Sequence, residues 1–151
     1  MKRSVFTLCI LALMATMVYA GSHGGVTYQN DIRPLMERQC FGCHGDHAPS
    51  LDEFDEDKQK YEDLSQGPRM TTYEEVTIFV NGDDAGALMR RLDDGSNTAD
   101  GNPGNMNIYL GETDEARKEN LSLFRQWVGH WTLKRSGDLT EEDMEKFNIP
   151  E

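Results

Sequence analysis

Three shortages set the first limits. Cysteine is nearly missing: 151 residues hold three, at positions 9, 40 and 43. Basic residues are scarce, with 15 Lys and Arg against 27 Asp and Glu. Long apolar runs are confined to the opening "MKRSVFTLCILALMATMVYA". The charge shortage argues against nucleic acid and anionic membrane surfaces, which carry the chain's own sign. It leaves a basic protein as the favoured partner, or a surface that only solubilises. A bilayer span needs about 20 apolar residues, and nothing after the opening segment offers them. No internal repeat or long low-complexity tract appears, so the remainder amounts to one domain.

The opening segment reads as a secretory signal peptide. Lys2 and Arg3 precede an apolar run from Val5 to Val18, and Val18-Tyr19-Ala20 suits a signal peptidase. Cleavage is expected after Ala20, with export to the periplasm. A membrane anchor would need a longer run, and Cys9 lies mid-run, where a lipoprotein cut does not fall. Cys9 therefore leaves with the leader. The expected organisation is a leader at 1–20, a domain at 21–137 and a short acidic helix or tail at 138–151. Without Lys2 and Arg3, the mature chain has a net charge of −14 with neutral histidines.

What remains of the cysteine is concentrated in "RQCFGCHGDH", residues 38–47. Cys40, Cys43 and His44 form C-x-x-C-H, the attachment signal for c-type haem. Two thiols on one turn can add to the two vinyl groups along one porphyrin edge. The adjacent histidine then lies under the ring and reaches the iron. Zinc held by Cys40, Cys43, His44 and His47 would crowd four ligands into eight residues, whereas structural zinc joins separated segments. A redox dithiol needs a thioredoxin-like βαβ setting that the pattern does not show. One covalent haem c, with its iron, is the expected cofactor.

The rest reads as an all-α wrapper. "NDIRPLMERQC" has Asn30 or Asp31 as N-cap and Pro34 in the first turn. Ser50 with Glu53, and Thr72 with Glu75, form capping boxes. The acidic stretch after Ser50 suits either a helix with Leu51, Phe54, Tyr61 and Leu64 on one face or a loop over the haem edge. "DAGALMRRL" is a short helix with Leu88, Met89 and Leu92 inward, and 93–105 is loop. The longest helix is expected from Thr113 to Arg135, stopped by Gly137. Its stripe is Leu121, Phe124, Trp127, Val128 and Trp131. Thr140 and Asp143 open a last acidic helix.

The C-x-x-C-H near the mature N-terminus, the helix before it and the tryptophan-bearing last helix resemble the class I cytochromes c. "NDIRP", "GALMRRL" and "FRQWV" resemble one bacterial branch, the PccH-type monohaem cytochromes. The resemblance covers roughly residues 27–135. It implies a small helical domain in which first and last helices cross beside the haem. It also implies Cys40 and Cys43 as attachment points, His44 as one axial ligand and a late-loop methionine as the other. That methionine matches Met106 in "NPGNMNIYLG". The commoner family pattern has proline directly after the methionine, where this chain has Asn107. His130 and Met70 stay open as alternatives, and so does an open iron position.

The expected function is one-electron transfer through a haem with His/Met ligation. A haem peroxidase would need an open iron position with distal acid–base groups. A redox or gas sensor would need a displaceable ligand and an output module.

Overall fold

Short helices joined by tightly bonded loops make up the fold. No strand occurs among the described residues, 25–151, of this computed structural model. The leader expected at 1–20 lies outside them. A π-helical turn, Tyr28–Ile32, runs straight into α1, Arg33–Gln39. Then come α2 (Phe41–His44), α3 (Leu51–Glu56), α4 (Lys58–Asp63), α5 (Tyr73–Thr77) and α6 (Ala87–Leu92). A 3₁₀ turn, Asn107–Leu110, leads to α7, Asp114–Val128, and a small turn leads to α8, Glu141–Glu145. The all-α expectation holds. No helix among these residues is long and apolar enough to cross a membrane.

Helices of four to seven residues are not stable alone, so packing must hold them. Tyr28, Ile32, Leu35 and Met36 present one apolar face; Leu121, Phe124, Trp127 and Val128 of α7 present another. The two faces meet, with the Tyr28 ring 5.9 Å from that of Trp127 and 5.5 Å from that of Tyr73. Val76, Phe79, Val80, Leu88, Met89 and Leu92 close the same core.

Two helix ends differ from the sequence reading. The first helix starts earlier, because Thr27 is extended and its hydroxyl accepts from the Asn30 amide. Asp31 faces back and accepts from the Thr27 amide at 2.9 Å, so it completes a cap rather than being one. The long helix ends earlier, at Gly129 (φ +74°), whose amide still bonds the Arg125 carbonyl. Trp131 then leaves the helical stripe, and its indole donates to Asp93.

Asp93 is fully buried and gathers a knot of donors. The Gly95 amide (2.9 Å), the Asn97 side chain (2.7 Å) and the Trp131 indole (2.8 Å) all reach it. Burial opposes its charge. The hydrogen bonds from Asn97, Trp131 and Gly95 outweigh that, and the carboxyl is held below the ordinary range.

Residues 138–151 pack closely on the rest. The Pro150 carbonyl accepts from the Tyr28 amide (2.9 Å) and the Trp127 indole (3.0 Å). The Ile149 carbonyl accepts from the Tyr73 hydroxyl at 2.6 Å, and the Asn148 amide donates to Val128. Phe147 and Ile149 lie against the core, and Asp143 is bound by Lys134 at 2.6 Å. The terminal segment is a strap across the first turn, α5 and α7.

Candidate functional site

Cys40 ends α1 and begins α2. Its amide bonds the Met36 carbonyl (2.7 Å), and its own carbonyl accepts from Cys43 (3.1 Å) and His44 (3.0 Å). One turn thus carries both thiols and the imidazole. Cys40 and Cys43 are not joined in a disulfide; Cys43 is exposed and Cys40 partly buried. Burial, with Cys43 adding to it, pushes the Cys40 thiol up to about 11. A redox dithiol with Cys40 as its attacking thiol would need the opposite shift. The zinc reading fails on geometry, because no three His, Cys, Asp or Glu side chains cluster among the described residues. His47 is exposed, beside rather than with the other three.

Residues 67–70 run alongside the motif. The Gly67 amide donates to the Cys43 carbonyl and the Met70 amide to that of His44, both at 3.0 Å. His44 Nδ1 lies 2.7 Å from the Pro68 carbonyl. A carbonyl can only accept, so Nδ1 carries the proton and Nε2 keeps a free lone pair. Burial, more than the opposing hydrogen bond, lowers the imidazole pKa, and the positive Arg91 lowers it further. The ring is therefore neutral, as a metal ligand must be. Gly67 makes this approach possible: a Cβ there would lie 2.1 Å from His44 Cε1.

Met106 lies in a loop bound to the end of α6. The Gly104 amide bonds the Asp93 carbonyl (2.8 Å), and the Met106 amide bonds that of Arg91 (2.9 Å). Arg91 Nη1 donates to the Asn105 side chain (3.1 Å), and the buried Asn107 amide donates to the Leu92 carbonyl (2.8 Å). Gly104 permits the contact, since a Cβ would come within 2.3 Å of the Arg90 and Arg91 carbonyls. Asn107 fixes the loop through its side chain at the place where the commoner pattern has proline. A groove of about 510 Å³ runs along the outer side of this loop, beside Asn105, Ile108 and Arg117. Neither Cys40, Cys43 nor His44 lines it, so it is separate from the motif.

Two other candidate ligands are His130 and Met70. His130 Nε2 is 3.4 Å from the Asp143 carboxylate, and its ring meets Phe147 edge-on at 5.4 Å. It belongs to the strap. Met70 is tied by its amide to His44's own segment.

Gly67, Pro68, Gly104 and Arg91 were not singled out from sequence. The one local signal was the Gly67-Pro68 dipeptide, which marks a break in the chain. The donor set suits a covalent haem: two thiols on one turn, an imidazole with a fixed tautomer and a thioether on a tethered loop.

A family model described as "PccH Cytochrome c" matches residues 27–149. A solved structure, the monohaem cytochrome PccH from Geobacter sulfurreducens, is 43% identical. It covers 85% of this chain and 100% of its own, with a TM-score of 0.80. A search of curated proteins finds no match. The match takes in the terminal strap as far as Ile149, a segment beyond the sequence likeness. The chain belongs to the PccH family of monohaem cytochromes c, and with it come one covalently bound haem c and a haem-based electron-transfer role.

Proposed function

We propose that this protein is an exported, periplasmic electron carrier whose haem is bonded through Cys40 and Cys43 and ligated by His44 and Met106. The bound haem supplies one-electron chemistry between ferric and ferrous iron. The observation that carries the reading is the bonding of the Met106 loop. Four hydrogen bonds fasten residues 104–107 to the end of α6. A ligand on so fixed a loop favours a carrier over a peroxidase or sensor, both of which need a position that opens.

Each residue has a share in this. Pro68 orients His44 toward the iron and fixes its tautomer. The thioethers prevent haem loss outside the cell membrane. The thioether of Met106 is a soft donor that favours the ferrous state. The partner is expected to be a redox protein with a basic docking patch, as the acidic surface suggests.

The test is a visible spectrum with a redox titration of the haem-loaded protein. A methionine–iron bond gives a weak band at the red end in the oxidised state. The band should vanish in Met106→Ala and persist in His130→Ala and Met70→Ala. Its absence from the unaltered protein, or its loss only in His130→Ala, would overturn the assignment.

A further inference from the structure

We propose that Arg91 is the positioning residue of the site: it clasps the Met106 loop from both main chain and side chain, and its side chain fastens a positive charge to the residue next to Met106. The inference rests on the reading of Met106 as the sixth ligand.

The geometry is specific. Arg91 is the penultimate residue of α6, where backbone carbonyls lose their helical partners. Its carbonyl is taken by the Met106 amide at 2.9 Å. Its side chain turns toward the same loop, and Nη1 donates to the Asn105 side-chain Oδ1 at 3.1 Å. The residue before Met106 and Met106 itself are thus held by one arginine. Its neighbour Arg90 is engaged elsewhere, on the Lys134 carbonyl and Asp84. The guanidinium is therefore fastened one residue from Met106.

Two consequences separate the clasp from the charge. Without the side-chain bond, the loop should release its methionine more readily. Loss of one exposed, charge-assisted hydrogen bond corresponds to about a threefold to fivefold change in equilibrium. Without the positive charge, ferric iron is less disfavoured and the reduction potential falls.

The experiment uses the haem-loaded protein and imidazole as a competing ligand. The imidazole concentration that half-removes the red band should fall about threefold to fivefold in both Arg91→Gln and Asn105→Ala. The midpoint potential, read at a pH where the band is intact, should shift down in Arg91→Gln only. Arg91→Lys keeps the charge and should keep the potential. Equal imidazole sensitivity in all variants, with an unmoved potential in Arg91→Gln, overturns the inference while the Met106 reading survives. No red band in the unaltered protein overturns both.

Discussion

Gly67 shows how a missing side chain can matter more than a present one. The His44 ring fills the space where a Cβ would stand, at 2.1 Å. Gly67→Ala must move either the imidazole or the segment that supplies the Pro68 carbonyl. Overpacking of this kind costs about 1–3 kcal/mol. The expected outcome is a lower thermal midpoint for the haem-loaded protein and a changed axial-ligand spectrum, both read on one sample. An unchanged midpoint and spectrum would mean that the ring has room the geometry denies. Asp93 makes the opposite case. Its folded pKa lies below the ordinary value of about 3.9, so its stabilisation is complete above that pH and fades as pH falls through the folded pKa. Asp93→Asn should cost about 2–4 kcal/mol at neutral pH, because donors from Trp131, Asn97 and Gly95 lose their charged acceptor. It should also flatten acid unfolding below about pH 4. Asp143 is lowered too, chiefly by the Lys134 bond, so part of the acid sensitivity will remain. Unfolding curves across pH for both proteins check this, and parallel pH slopes would refute it.

At the scale of elements, the signals that could be read were those completed within four residues. Ser50 with Glu53, Thr72 with Glu75, and Thr140 with Asp143 each close a capping box where the sequence indicates one. The end of α7 was not legible, because two glycines compete for it. Gly129 prevails since the Asn148 amide from the strap takes the Val128 carbonyl. That partner is remote in sequence and leaves no local trace. The acidic stretch after Ser50 proved to be two helices broken at Asp57, with Phe54 stacked on Tyr61 at 6.2 Å and Leu64 left exposed. The site divides the same way. The run from Cys40 to His44 is contiguous and shows itself, whereas the Pro68 carbonyl lies 24 positions on and Arg91 further still. Gly129→Ala tests the helix stop. A positive φ costs an L-residue about 1–2 kcal/mol, and the new methyl would press on Asn148 at 3.2 Å. Equilibrium unfolding should show that loss, while the visible spectrum stays as it was because the site is elsewhere. No loss of stability would show that the stop is not fixed by Gly129.

For the whole molecule, charge is the property that acts at a distance. With the leader removed, the expected net charge of −14 creates a field that attracts cations and repels anions. Electron transfer with a basic redox protein should speed up as salt is lowered, by roughly tenfold or more. With an acidic one it should slow down. At about 0.15 M salt the screening length is about 8 Å, so the steering fades there while docked contacts persist. Stopped-flow rates at several ionic strengths check the signs. Rates that ignore salt with both partners would leave the acid as a solubilising coat only.

The strap also governs when the fold can close. Tyr28 pairs with Pro150, and Gln29 reaches Glu151 across 122 positions of chain. Contacts of such sequence separation form late and slowly, because a long loop must be ordered before any of them contributes. During synthesis, the first turn therefore waits for partners delivered more than a hundred residues later. The Cys40–His44 turn is bonded to Met36 and to residues 67–70, and none of these bonds comes from the strap. Haem attachment is therefore expected not to wait for the strap. A version ending at Glu145 should acquire its haem at the usual yield yet unfold at a lower temperature. Haem yield that fell together with the melting point would place closure before attachment.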